Sequence, residues 1–225
     1  MAFRKTSFAP GEWYHCYTRS IDGNETFTAQ RDYERFTEAL YLSNNADTIP
    51  RGNFQHLNHE EILTLPRSQP IVSIGAYCLM PNHFHILMRE EIEGGISRFM
   101  QRLGTSYAKY FNLKHDRIGN VFVKPFRSKH IEDDRYLKRV TEYIHLNPVE
   151  LFESGWKRGQ IRNVQELHRL LGGYLHSSLI EFSGVMRTES AIINPDLIEV
   201  LQGDENPFSL RALLAERATY FAELN

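Results

Sequence analysis

Two histidines one residue apart stand in the run Met80-Pro81-Asn82-His83-Phe84-His85-Ile86-Leu87, and further along a helix-like segment carries Tyr143 and, four residues later, Asn147. Side chains alternate across a strand with period two, so both imidazoles of a His-x-His strand point to one side; on a helix, residues i and i+4 stack on one side. Two rigid elements can thus present three metal-capable groups and a phenol to one spot. That is the equipment of a metal-assisted phosphoryl transfer with a tyrosine nucleophile. A phenol with a pKa of about 10 offers little phenolate at neutral pH, and a phosphodiester is a poor, anionic electrophile. A divalent cation on a non-bridging oxygen neutralises charge and polarises phosphorus, while two neutral imidazoles and an amide leave coordination positions for substrate and water. Mixed nitrogen and oxygen ligation suits Mn²⁺ or, in the cell, Mg²⁺.

Each part also has a plainer reading. A His-x-His on a strand is more often two half-exposed polar residues, a Tyr on an amphipathic helix a packed aromatic, and an Asn before Pro a helix cap. Their alignment carries the information, because the core positions of both elements are assigned from other residues.

Those elements follow from periodicity. Glu12 to Arg19 is rich in aromatic and β-forming residues and reads as a first strand. From about Thr28 to Leu42, Tyr33, Phe36, Ala39 and Leu40 recur at helical spacing. Residues 43–70 hold four prolines and glycines among polar residues and read as a loop insertion with one helical turn near 60–65. Ile71 to Leu79 is an apolar strand, Pro81-Asn82 a tight turn, and His83 to Arg89 the returning strand, with Phe84, Ile86 and Met88 on the core side. Ile96, Phe99, Met100, Leu103, Tyr107 and Tyr110 form the buried stripe of a helix with Arg98, Arg102 and Lys109 on its outer face. Gly119 to His130 fits another strand, with a bulge or sheet edge at Pro125. Glu132-Asp133-Asp134 then suit a helix N-terminus. Leu137, Val140 and Ile144 form that helix's stripe, Arg139, Tyr143 and Asn147 stack beside it, and Pro148 stops it. The order strand, helix, strand, strand, helix, strand predicts an α+β fold: a ferredoxin-like antiparallel sheet with helices on one face, the remaining helix lying beside the sheet.

At 225 residues, 41% hydrophobic and 24% charged, the chain has the composition of a globular domain with an extension. Its two cysteines, Cys16 and Cys78, lack metal or redox spacing, and no apolar run is long enough for a membrane span, so a cytoplasmic location is expected. The net charge of −2 hides an asymmetry: residues 98–139 carry eleven Lys/Arg against four acids, and residues 181–225 eight acids against three Arg. The basic stretch has the footprint of a phosphate-backbone binder. Arg98, Arg102, Lys109, Lys124, Arg127, Lys129 and Arg139 are the candidate phosphate-backbone contacts, and Phe122 or Phe126 can stack on unpaired bases, although Phe in a strand is more often core. Val164 to Leu171 and Leu210 to Phe221 read as helices of the extension.

The Met80-Pro81-Asn82-His83-Phe84-His85 run resembles the metal motif of the single-tyrosine HUH transposases. The stretch from Tyr107-Ala108-Lys109-Tyr110-Phe111-Asn112 to Gly119, with Tyr143-Ile144-His145-Leu146-Asn147-Pro148-Val149, is similar to the REP-associated tyrosine transposases within that superfamily. Tyr14-His15, Arg19 to Phe27 and Ser177-Ser178 fit more loosely, Val123-Lys124-Pro125 departs from the pattern, and the likeness spans about residues 10 to 180. The resemblance implies an HUH domain over 1–150 with the insertion at 43–70, and a mostly helical extension over 151–225. It implies Tyr143 as nucleophile, His83, His85 and Asn147 as ligands of Mg²⁺ or Mn²⁺, and single-stranded hairpin DNA cut and rejoined through a 5′-phosphotyrosine, by a monomer or homodimer. The competing expectation is a domesticated hairpin-binding protein that does not cut. His15 and His145 are expected to be structural polar groups.

Overall fold

The computed structural model describes residues 7–156 and 162–202. Its centre is a four-stranded antiparallel sheet of order β2-β3-β1-β4, built from β1 (Trp13–Arg19), β2 (Val72–Met80), β3 (His83–Glu90) and β4 (Arg127–Ile131). The Pro81-Asn82 turn joins β2 to β3 with Met80 opposite His83, so the hairpin register is set by the two-residue link the sequence implied. On the other side of β3, Tyr17 of β1 lies opposite His85 and Arg19 opposite His83.

α1 (Gln30–Ser43) and α3 (Gly95–Lys114) cross one face of this sheet. There Phe84, Ile86 and Met88 of β3 meet Tyr14 and Cys16 of β1, Tyr77 and Leu79 of β2, and the stripes Phe36-Leu40 and Phe99-Leu103-Tyr107 of the helices. The entry of α3 is fixed by buried Glu90, whose carboxylate accepts from the N–H groups of Gly94 and Ile96 at 2.9 and 3.0 Å. A carboxylate there satisfies donors that have no partner inside the helix and faces the positive end of its dipole. This is the ferredoxin-like α+β arrangement expected.

α4 (Asp134–Leu146), expected beside the sheet, instead lies across its second face. Leu137, Val140 and Ile144 pack on Ala76, Cys78, Leu87 and Ile131, the residues that alternate with the first core along the strands. The reason is parity: β2 is buried along its whole length, so its two faces both need apolar cover. The helix begins at Asp133, whose side chain accepts from the Tyr136 N–H at 2.7 Å.

The strand expected over 119–130 shrinks to β4. Gly119 has a φ of 103°, a left-handed value, and Pro125 cannot donate to a ladder, so only a single bridge, Ser20 to Phe122, precedes Arg127. The expected edge position holds, as β4 ends the sheet. The 43–70 segment holds the helical turn expected near 60–65 as α2 (His59–Leu63), capped by Asn58 through the Glu61 N–H, and adds a short 3-10 turn at Arg51–Phe54. Beyond residue 148 come α5 (Val149–Phe152), α6 (Val164–Gly172), α7 (Leu179–Phe182) and α8 (Pro195–Gln202). The helix expected over Leu210 to Phe221 lies outside the described residues. Residues 176–178 bond to the outer edge of β2 through Leu79 N–H to His176 O at 2.9 Å and Ser178 N–H to Tyr77 O at 3.0 Å, covering an edge that would otherwise be open to pairing. Among the described residues no helix is long and apolar enough to cross a membrane.

Candidate active site

On the second face the apolar contact with α4 covers only part of the sheet. Toward the β2–β3 turn the alternating positions become polar: His15, Tyr17 and Arg19 of β1 stand beside His83 and His85 of β3. The helix end above them carries Tyr143 and Asn147. The two elements that held the motif residues in the sequence therefore meet. His83 and His85 have ring centroids 5.2 Å apart, the Tyr143 ring stands perpendicular to His85 at 5.4 Å, and Asn147 Oδ1 is 3.4 Å from His83 Nε2. Tyr143 is half-buried, while Asn147 and His85 are buried.

The proton positions follow from the hydrogen-bond network. Asn82 donates through its amide nitrogen to the Gly23 carbonyl at 3.1 Å, which turns its Oδ1 toward His83 Nδ1 at 2.8 Å. An amide oxygen can only accept, so His83 Nδ1 carries the proton and Nε2 the lone pair. Asn147 likewise donates from Nδ2 to the Tyr143 carbonyl at 3.2 Å, leaving Oδ1 as the atom directed at His83. With His83 neutral, this puts two lone pairs 3.4 Å apart, a spacing that suits two ligands of one small divalent ion, around which neighbouring donor atoms sit about 3 Å apart. His83, Asn147 and His85 accordingly fit a divalent metal, with two neutral imidazoles and one amide oxygen. Among the described residues no three His, Cys, Asp or Glu side chains are placed to hold a metal ion together, so this donor set is defined by its amide.

His15 sits behind the pair. Its Nε2 is 2.8 Å from His85 Nδ1, and its ring lies against both Tyr17 and His85, with centroids at 4.9 and 5.0 Å. Burial, with Lys129 nearby, pulls its pKa down to about 3. His15 is therefore neutral, and sequence reasoning missed its contact. The available signal was the alternation Trp13, His15, Tyr17, Arg19, which places the ring on the same face as Tyr17 once β1 is known to pair with β3. Its partner in name, His145, is a structural group: it is buried, its pKa is lowered by burial to about 3, and its Nε2 lies 2.7 Å from Ser178 Oγ. Ser178 in turn accepts from the Tyr77 N–H at 2.9 Å, so this hydroxyl ties α4 and the extension to β2.

A cleft of about 580 Å³ opens beside His83, lined by Tyr17, Arg19, Asn82, Val123, Arg127 and Leu151 among others. Of the candidate DNA contacts, Arg127 lies in this cleft, Lys129 lies opposite His15 in the register with its ammonium 5.1 Å from the Tyr136 ring, and Lys124 is exposed on the preceding loop. Arg139 is exposed one turn before Tyr143. Arg98, Arg102 and Lys109 belong to α3 and so to the opposite side of the sheet. Arg102 donates to the carbonyls of Asn45 and Ala46 at 2.5 and 3.2 Å, where it holds the start of the 43–70 segment. Phe122 is not a stacking platform: it is buried against Phe27, Phe36, Phe84 and Tyr107. Phe126 stacks on Phe8 at 6.2 Å.

Residues 58–147 match the family model described as "Transposase IS200 like". A solved structure described as "Structure of the REP associates tyrosine transposase bound to a REP hairpin" superimposes with a TM-score of 0.50 at 14% identity, covering 84% of this chain and 90% of that one. No curated protein matches. The matched stretch holds β2, β3, α3, β4 and α4, hence both histidines, Tyr143 and Asn147; over it the chain is similar to the IS200-like transposases, and its fold is similar to that of the solved transposase.

Proposed function

We propose that this chain is a metal-dependent endonuclease and strand transferase acting on single-stranded DNA next to hairpins, through a 5′-phosphotyrosine. The observation that carries the reading is the approach of His83 Nε2 and Asn147 Oδ1 to 3.4 Å, one helical turn from a tyrosine whose ring abuts the second histidine. The REP hairpin bound to the structural neighbour supports the choice of substrate.

His83, His85 and Asn147 would hold the cation, Mg²⁺ or Mn²⁺, and Tyr143 stands beside them. When bound, the ion supplies charge neutralisation at a non-bridging phosphate oxygen. Tyr143 Oη attacks phosphorus, the Oη–P bond forms as the P–O3′ bond breaks, and the phenolic proton is given up while the departing 3′-oxygen gains one. The product is a 5′-phosphotyrosine and a free 3′-OH. Because one ester replaces another, a second 3′-OH can reverse the step without a nucleotide cofactor. The cleft flanked by Arg19 and Arg127 receives the strand, with cations for its backbone.

Incubation with a labelled hairpin carrying a single-stranded flank, in Mn²⁺, is expected to give a denaturant-stable protein–DNA adduct of one-to-one stoichiometry, lost on chelation. Hairpin binding with no cleavage under any divalent ion would instead establish a non-cutting binder. Cleavage without an adduct would make water the nucleophile.

A further inference from the structure

Three rings of the second face, those of Tyr17, His15 and His85, lie against one another. Tyr17 and His85 are paired across β1 and β3, and His15, two residues before Tyr17 on the same face, reaches His85 along the diagonal. The Tyr17 ring lies nearly parallel to both imidazoles, at 29° to His15 and 24° to His85, and the His15 ring also meets Tyr143 edge-on at 5.9 Å. His15 is 3% exposed, so its polar nitrogens are removed from water, and a buried imidazole needs a partner for them. The partner of Nε2 is His85 Nδ1 at 2.8 Å.

A hydrogen bond between two neutral imidazoles has one donor and one acceptor, and the direction decides which His85 nitrogen bears the lone pair. If His85 donates from Nδ1, its lone pair is on Nε2, the same nitrogen that faces the amide oxygen in His83. If His15 donates, the His85 lone pair is consumed inside the sheet. We propose that His15 is a positioning residue for the metal site: by accepting the His85 Nδ1–H on its own Nε2 it holds His85 in the tautomer and ring orientation that present Nε2 to a divalent cation. Asn82 performs the same service for His83 from the turn, so each imidazole of the pair has its own acceptor on a different element. The inference rests on the metal reading of the site and adds to it a residue outside the donor set. The ligand class is a bare divalent cation, and the role is distinct from touching DNA.

Mn²⁺ binding by the DNA-free protein tests this, read from the loss of the free-ion signal in electron paramagnetic resonance. His15→Phe keeps the ring stack and removes the acceptor; it is expected to weaken Mn²⁺ binding by about 10- to 100-fold, the usual effect of losing an outer partner of a histidine ligand. His15→Gln, whose side-chain oxygen can accept at that position, is expected to recover most of the affinity, which a purely structural role would not produce. Should either variant fail to fold, the wild-type protein still decides the matter through imidazole ¹⁵N shifts. A proton on His85 Nδ1 is expected, and one on His85 Nε2 overturns the proposal. A wild type that binds Mn²⁺ no better than His15→Phe also overturns it while leaving the metal reading intact. A wild type that takes up no Mn²⁺ overturns the metal reading, and this proposal with it.

Discussion

The two faces of the sheet are built from the same strands and buried to a similar degree, yet they do different work. Along β3, Phe84 is 2% exposed and His85 6%, adjacent residues pointing opposite ways. Phe84 meets Phe36 and Phe122, rings that ask only for contact. His85 meets His15, Tyr17, His83 and Tyr143, rings whose heteroatoms must be satisfied one by one. Burial alone does not separate a core from a site; the direction in which lone pairs are pointed does. On the first face α1 and α3 pack on the strands through apolar side chains. On the second, α4 closes one end with Leu137, Val140 and Ile144 and leaves the other end to Asn147, Tyr143 and the histidines.

The contrast breaks most sharply at Tyr143. Tyr143→Phe leaves the ring in place beside His85 and removes one oxygen, so folding and Mn²⁺ affinity are expected to be kept while the covalent adduct disappears and strand cleavage falls by several orders of magnitude. Measured adduct or cleavage at wild-type rates in this variant would remove Tyr143 from the chemistry. The next test sets neighbours against each other. Phe84→Ala is expected to lower unfolding stability by about 3–5 kcal/mol, the usual result of emptying a buried aromatic site, and to leave Mn²⁺ affinity unchanged where the protein is folded. His83→Ala, at a half-buried position, is expected to cost less than about 1 kcal/mol and to abolish Mn²⁺ uptake. Denaturant titration and metal titration on the same pair of variants read both axes; parallel losses in both would mean that the faces are not separable.

How much of this was legible follows from which interactions are periodic. The ladder of β1, β2 and β3, the stripes of α1, α3 and α4, and the two-residue turn all repeat a local pattern, and the sequence shows them. His83, His85, Tyr143 and Asn147 were visible because strand and helix periods align them. The covering of the second face by α4 was not, since β2 reads as apolar throughout and does not announce which neighbour takes each side. β4 was overextended because aromatic residues from Val121 to Phe126 look like a strand, while Phe122 serves the core through a single bridge. His15 and Asn82 were hidden for another reason. Their role is a hydrogen bond to a residue far off in the chain or to a neighbour in a turn, and no periodicity encodes the tautomer it selects.

The extension is pinned to each side of the sheet by a histidine, and the two pins answer pH differently. Toward α4 the pin is His145 with Ser178, neutral throughout the physiological range. Toward α1 it is His59, between buried Glu38 and Glu189 of the short turn Thr188–Ile192, at 3.5 and 3.2 Å. Burial lowers the His59 pKa, but the hydrogen bond to Glu189 and the nearby Glu38 carboxylate outweigh it and raise the value to about 9. A folded pKa above the unfolded 6.5 means that protonation favours the folded state, so this contribution is complete below pH 6.5 and is lost as pH rises toward 9 and beyond. Unfolding stability is expected to fall by on the order of 2 kcal/mol across that window, and His59→Gln is expected to flatten the profile. A profile that keeps its full slope in His59→Gln would place the titration elsewhere.

Cations on the two faces give the finest comparison. Arg127 lines the cleft beside His83, whereas Arg98 is exposed on α3 across the sheet. If the strand is bound where the histidines are, Arg127→Ala is expected to weaken single-stranded hairpin binding by about 1 kcal/mol and to reduce the salt dependence of the affinity by about one released counterion. Arg98→Ala is then expected to change neither. Arg98 is the control of equal charge, since the whole-molecule field loses one positive unit in both variants and only position differs. Equal losses would show that the molecule attracts DNA through its overall basic stretch, and the distinction between the faces would then hold for the chemistry and not for the binding.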